Sequence, residues 1–118
     1  MAEAGLFVGW GPPVRGREAK GLEVFNEALS WYGEQQQSGA IEGFEVVLIG
    51  PHGGDLYGFL LVKGSTDQIS ALRTTDEFQR LNARAGLVVE RLGVVDAAVD
   101  EAVGEQVSLY QEATSELT

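Results

Sequence analysis

Two neighbouring segments of the chain are apolar on both faces of the strands that they predict. Apolar residues stand at odd and at even positions from Phe44 to Ile49, and again from Leu56 to Val62. Successive side chains of a strand point to opposite faces, and a strand with one solvated face alternates apolar with polar residues. Both faces of this sheet are therefore expected to be covered. The segment between them, Gly50 to Asp55, has turn composition and predicts an antiparallel hairpin.

One strand and one helix precede the hairpin. Leu6 to Trp10 is apolar and predicts a strand, and the Gly and Pro residues that follow exclude a helix up to Gly16. Apolar residues recur at helical spacing from Arg17 to Gln37, which predicts a long helix. Val24 and Trp31 lie nearly opposite the predicted core stripe, so a second contact is expected there, with the terminal helix as the candidate. The core stripe itself consists of Leu22, Phe25, Leu29 and Tyr32.

A broken helix, a strand and a terminal helix follow the hairpin. Helix-start signals stand at Ser65 and at Thr74, each with Gln or Glu three residues later. Leu92 to Val99 predicts the fourth strand, and the residues beyond Gly104 predict a short helix. This order is that of the α+β ferredoxin-like βαββαβ sandwich, in which helices cover one face of an antiparallel sheet. The second half of the broken helix is expected on the same face as the first helix, through Phe78, Leu81, Ala85 and Val88.

A single copy of the chain has too few helices to cover the second face of the sheet. Its 118 residues have the size of one domain. Two helices on one face leave only the short terminal helix for the other, and an apolar face of this extent exceeds the patches that monomers usually expose. We therefore expect a homodimer that forms through the sheet face.

Composition narrows the partners and the compartment. Eight basic residues stand against eighteen acidic ones, and the net charge of -10 repels phosphate, so neither nucleic acid nor a membrane surface is expected as a partner. The chain has no cysteine, which excludes disulfides and thiolate metal sites and suits a cytoplasmic location. No segment approaches the roughly 20 apolar residues of a membrane span.

The order of elements and the two-faced sheet resemble the dimeric α/β-barrel superfamily over residues 5–100. Its members are ferredoxin-like subunits that pair sheet to sheet, and they include YCII-like proteins, cofactor-independent antibiotic-biosynthesis monooxygenases and haem-degrading monooxygenases. The segment Leu72 to Leu81, a helix that restarts before the last strand, is similar to what many of them carry. The run from Phe44 to Asp55 more closely resembles small bacterial proteins that have no established activity.

The chain departs from the site residues of these families. YCII-like proteins are associated with a His and Asp pair whose His lies in the first helical region, whereas the single histidine of this chain, His52, lies in the hairpin. The monooxygenases are associated with Asn, Trp and either His or Tyr in the barrel interior. Asn26 and Trp31 supply two of these residue types without a shared motif, so no role is transferred to them.

His52 and Asp55 are the candidate catalytic residues. The imidazole titrates near neutrality, and a turn that brought Asp55 within hydrogen-bond reach would orient it as a general base. The alternative is that Pro51 to Asp55 is only turn chemistry, in which Asp55 binds backbone amides. No metal site is expected, because carboxylates alone would have to complete a site around one histidine.

Trp10, Arg15, Arg17 and Tyr57 are the candidate ligand-binding residues. Both arginines lie where the first helix begins, and the positive end of its dipole favours a carboxylate or a phosphate there. The alternative is a rigid loop whose arginines pair with neighbouring acids. The two aromatic residues are candidates for lining a cavity that receives a flat ligand, and they are equally consistent with a filled core.

Three functions are compatible with these features. The leading one is a homodimer with a small-molecule pocket between sheet and helices, without a cofactor. The second is a cofactor-independent monooxygenase or isomerase that acts on a small aromatic or carbonyl compound, with His52, Asp55 and Trp10 near the chemistry. The third is a structural or partner-binding subunit.

Overall fold

The computed structural model describes residues 2–117 and contains one antiparallel sheet with four helices. The predicted order of elements is confirmed, and the terminal helix begins earlier than expected. In chain order the elements are β1 (Ala4–Trp10), α1 (Glu18–Ser38), β2 (Gly43–Leu48), β3 (Gly58–Gly64), α2 (Thr66–Thr74), α3 (Asp76–Gly86), β4 (Gly93–Ala97) and α4 (Glu101–Ser115). The strands lie in the order β2-β3-β1-β4. The expected hairpin is formed by β2 and β3.

The two faces of the sheet are both apolar, as the hairpin sequence predicts. One face packs against α1, α2 and α3 and forms the core, in which Leu6, Val8, Leu60 and Val62 are buried. The opposite face carries Phe7 and Phe59, whose rings stack with centroids 5.3 Å apart. We call this opposite face the open face; its apolar side chains are Val47, Leu61, Phe59, Phe7 and Val95.

The predicted stripe of α1 is confirmed at Tyr32, which is buried, and at Leu29, which packs against the core, but not at Leu22. Val24 is 3% exposed and lies in the core, whereas Leu22 is 60% exposed. The helix is apolar around much of its circumference, so periodicity alone does not select the buried side. Packing against α3 selects it: the ring of Trp31 lies 6.2 Å from that of Phe78. The expected contact between Trp31 and the terminal helix was therefore wrong.

The second helical region consists of two helices, α2 and α3, and Thr75 caps both of them where they meet. Ser65 forms the predicted capping box, because its hydroxyl accepts from the Gln68 amide at 3.0 Å and its own amide donates to the Gln68 side chain at 2.7 Å. The second helix start lies one residue later than predicted, at Thr75, whose hydroxyl accepts from the Phe78 amide at 3.2 Å. The extended backbone of Thr75 ends α2 and begins α3.

Helix α4 stands away from the rest of the subunit. None of its residues is buried, and the described chain extends 53 Å along its longest axis. The radius of gyration is 16.1 Å, against about 13.5 Å for a compact chain of this length. Among residues 2–117, no helix is long and apolar enough to span a membrane.

The corrected orientation of α1 predicts a difference between two truncations. Val24→Ala removes buried methyl groups and should lower the free energy of unfolding by roughly 2 kcal/mol. Leu22→Ala removes exposed surface and should change it by less than about 0.5 kcal/mol. Urea unfolding followed by circular dichroism measures both. Equal losses of unfolding free energy in the two variants would contradict the burial of Val24 and the exposure of Leu22.

Candidate functional site

A cavity of about 320 Å³ lies between the sheet and the helices α1 and α3. Strands β1 and β3 form its floor, and the two helices form its walls. Most of its lining is apolar. The residues around it include Val8, Trp10, Pro13, Val24, Phe25, Ala28, Tyr32, Leu48, Tyr57, Leu60, Leu81, Asn82, Val88 and Val89.

A glycine makes room for the indole of Trp10 in this cavity. Gly58 pairs with Trp10 across β1 and β3, and a Cβ atom at Gly58 would lie 2.7 Å from the indole Cζ2. Any larger residue would have to displace the ring or the β2 backbone, since the Val47 carbonyl oxygen lies 2.9 Å from the same point. The ring of Phe25 meets Trp10 edge-on at 5.9 Å. The two rings thus form one wall of the cavity.

The loop after β1 forms a fixed rim of the cavity. The Gly11 amide donates to the Glu90 carbonyl at 2.8 Å, and the Glu90 amide donates to the Pro12 carbonyl at 2.9 Å. Val14 donates to the Val88 carbonyl at 2.8 Å. These bonds tie the loop to the connection between α3 and β4. The loop that contains Pro12 and Pro13 is therefore held in one shape, as the stiff loop in the sequence predicts.

Tyr32 is a lining residue of this apolar cavity and has a buried polar group. The residue is 1% exposed, and its hydroxyl is the one buried side-chain oxygen or nitrogen of the described residues without a hydrogen-bond partner. Burial raises the pKa of the Tyr32 phenol, because the charged phenolate is disfavoured away from water. The hydroxyl therefore stays protonated and can both donate and accept a hydrogen bond.

Few other polar groups surround the cavity. Asn82 lies on α3 and is partly buried, and Glu18 lies at the start of α1. The Glu18 carboxylate accepts from the Gly16 amide at 2.9 Å. The described residues that line the cavity include no arginine, lysine or histidine, so this cavity suits a neutral ligand better than an anionic one.

Two of the four predicted ligand-binding residues line the cavity, and the other two do not. Trp10 and Tyr57 line the cavity. Tyr57 precedes β3 and lies on the helix side of the sheet, whereas Phe59 lies on the open face. Arg17 donates to the Leu87 carbonyl at 2.7 Å and borders a separate shallow groove beside α1, and Arg15 is exposed in the loop.

The structure does not bring the two candidate catalytic residues together. His52 lies exposed in the hairpin turn, where its Nδ1 is 3.0 Å from the Gly50 carbonyl oxygen. Asp55 forms an exposed ion pair with Arg91 at 3.3 Å. A catalytic role for either residue stays a prediction. Among residues 2–117, no three side chains of the types His, Cys, Asp and Glu cluster as a metal site would require.

Sequence reasoning placed Tyr32 in the core stripe and missed it as a site residue. It also missed Asn82, which stands one position from the predicted core residue Leu81. The sequence did contain one indication, a tyrosine in a predicted core stripe, because a buried tyrosine normally finds a hydrogen-bond partner for its hydroxyl. Whether that partner belongs to the protein or to a ligand depends on the space beside the ring, and the helical spacing of apolar residues gives no information about that space.

Comparison with solved structures shows the fold. A dimeric ferredoxin-like protein of unknown function from Jannaschia sp. CCS1 matches with a TM-score of 0.59 and 18% identity, over 81% of this chain and 98% of that one. An EthD family protein from Bacillus halodurans matches with a TM-score of 0.62 and 13% identity, over 85% and 100%. The fold is ferredoxin-like.

An enzyme shares this ferredoxin-like fold. A cofactor-independent oxygenase from Streptomyces nogalater matches with a TM-score of 0.55 and 13% identity, over 84% of this chain and 95% of that one. The predicted resemblance to dimeric ferredoxin-like proteins and to antibiotic-biosynthesis monooxygenases is confirmed at the level of the fold. No family model matches the chain. No curated protein matches it either.

The buried phenol predicts a stability that falls at high pH. The pKa of Tyr32 is raised in the folded state from its ordinary value of 10.0, so its contribution to stability is full below pH 10 and is lost as the pH rises further. Tyr32→Phe should remove up to about 1.4 kcal/mol per pH unit from that decline. Urea unfolding at several pH values between 9 and 11 (about the range where the unfolded phenol titrates) measures the difference. Parallel declines in both proteins would contradict the burial of an uncharged Tyr32.

Proposed function

We propose that the protein binds a small, neutral, largely apolar ring compound in the cavity between the sheet and α1 and α3. One observation carries this proposal. The cavity is lined by apolar and aromatic side chains, and one of its lining residues, Tyr32, has a buried hydroxyl that has no partner within the described chain. Leaving a buried hydroxyl unpaired costs about 1–3 kcal/mol, and a ligand oxygen would remove that cost.

The size and walls of the cavity define the ligand class. About 320 Å³ lies at the lower end of the volumes that ligand pockets occupy. Trp10 and Phe25 present ring surfaces, which favour a flat ligand. The hydroxyl of Tyr32 favours one oxygen function on that ligand, either a hydroxyl or a carbonyl. A hydroxylated bicyclic aromatic has all of these properties.

A homodimer in the cytoplasm is the second part of the proposal. The open face is apolar, and a second copy that covered it would remove this surface from water. The Jannaschia neighbour is described as dimeric, which supports the same assembly here. The lack of cysteine agrees with a reducing compartment.

A pair of matched compounds tests the ligand proposal. The wild-type protein should bind 2-naphthol more tightly than 2-methylnaphthalene, which has a methyl group in place of the hydroxyl. Tyr32→Phe should weaken 2-naphthol binding by roughly three- to tenfold, the effect of one hydrogen bond, and should leave 2-methylnaphthalene unchanged. Isothermal titration calorimetry measures both affinities.

Tyr57→Phe provides the control for this experiment. It removes the same atom from a cavity residue that is 47% exposed, where water can satisfy the phenol. Its effect on 2-naphthol should be less than about twofold. If Tyr32→Phe leaves the discrimination between the two compounds intact, Tyr32 does not contact the ligand. If neither compound binds the wild-type protein, the ligand class is wrong.

Cofactor-independent oxygenation or isomerisation of such a compound is the second candidate. The fold that the chain shares with the Streptomyces oxygenase favours it, and Trp10 stands in the cavity. His52 and Asp55 would take part only if the hairpin turn closed over the cavity mouth. Oxygen uptake or product formation with hydroxylated naphthalenes, lost in His52→Ala and retained in Arg15→Ala, would support this candidate.

The homodimer has its own test at the open face. Val95→Asp places a charge at a side chain that is 54% exposed in the subunit, and should shift the protein to a monomer in multi-angle light scattering. Leu87→Asp is the control, since Leu87 is similarly exposed beside α1 and α3 on the other side of the molecule. A monomeric wild-type protein at micromolar concentration would contradict the dimer.

A further inference from the structure

Helix α4 has one apolar side and one acidic side. Val103, Val107 and Tyr110 recur at four- and three-residue steps, so they lie on one side of the helix. All three are exposed in the subunit. The opposite side carries Glu101, Glu105, Ser108 and Glu112. Such a helix is normally stabilised by burying its apolar side.

The helix cannot obtain that stabilisation from its own subunit. No residue of α4 is buried. Isolated helices of about 15 residues are marginal in water, and Gly104 in the first turns weakens this one further. Its apolar side therefore needs a surface on another molecule.

The start of α4 is fixed on the open-face side of the sheet. Val99 is buried, and its Cγ1 lies 2.9 Å from where a Cβ atom of Gly5 would be, on the open face. Asp100 has a positive φ of 52° and does not cap its own helix. Its carboxylate instead accepts from the Ala2 amide at 2.9 Å and pairs with Lys63 at 3.7 Å. Lys63 also lies on the open face, opposite Gly5.

We propose that α4 is an arm exchanged between two copies of this chain, with its apolar side packed on the second copy. This inference rests on the proposed homodimer. A second copy that covers the open face lies on the side of the sheet from which α4 emerges, so the arm meets it first. Two-fold symmetry then makes the contact reciprocal, so that the arm of each copy packs on the other copy.

Charge argues against the other occupants of this surface. Residues 92–117 contain six acidic and no basic residues. An anionic membrane or a nucleic acid would be repelled by the acidic side of the arm. A second copy also has a net charge of -10, so its contact with the arm must come from the apolar side while the acidic side stays in water.

Two adjacent substitutions test the packing of the arm. Val107→Asp places a charge on the apolar side, whereas Ser108→Asp places the same charge on the acidic side. The dimer dissociation constant, measured by analytical ultracentrifugation, should rise at least tenfold in Val107→Asp and less than threefold in Ser108→Asp. Equal changes in the two variants, or no change in Val107→Asp, would overturn the arm while leaving the dimer in place.

Hydrogen exchange separates exchange between copies from packing within one copy. The amides of residues 103–115 should be protected in the dimer and should lose at least tenfold of that protection in the monomeric Val95→Asp variant. Strands β1 and β3 should stay protected in both, which shows that the variant is folded. Equal protection of α4 in the monomer, or none in the dimer, would overturn the proposal. A wild-type protein that is monomeric throughout would instead remove the proposed dimer itself.

Discussion

The structure depends on a sheet that is apolar on both faces. Helices α1 to α3 cover one face and produce the core, and residues 2–117 supply nothing of comparable size for the other face. The stacked rings of Phe7 and Phe59 lie on that second face. Assembly and fold are thus coupled through one hydrophobic requirement, because the same strands provide the core of the subunit and the surface that a second copy would cover.

The two faces have separate tasks in this arrangement. The helix face carries the cavity, whose walls come from Trp10, Phe25 and Tyr32, while the open face and α4 carry the contacts proposed between copies. The strands β1 and β3 serve both, since their alternate residues point to opposite sides. The cavity therefore lies on the central, best-paired strands, which suits a site that must hold its shape.

The elements could be predicted from the sequence because their signals are local. Turn residues bounded the hairpin, Ser65 began α2, and alternation identified both faces of the sheet. The buried side of α1 was predicted only in part: Tyr32 is buried as expected, but the exchange of Leu22 for Val24 depends on how α3 packs beside the helix. The cavity residue Tyr32 was missed for a related reason: no pattern of residue types shows that its buried hydroxyl lacks a partner or that the residue lines a cavity.

The protonated phenol of Tyr32 has a consequence for selectivity. The ordinary pKa of a phenol lies above the physiological range and burial raises the pKa of Tyr32 further, so the proposed binding group is a neutral donor and acceptor throughout that range. A compound that ionises within that range would lose its place when it became an anion, since a charge has no counterpart among the apolar walls. The pH at which the ligand is released would then depend on the pKa of the ligand and not on the titration of a group of the protein.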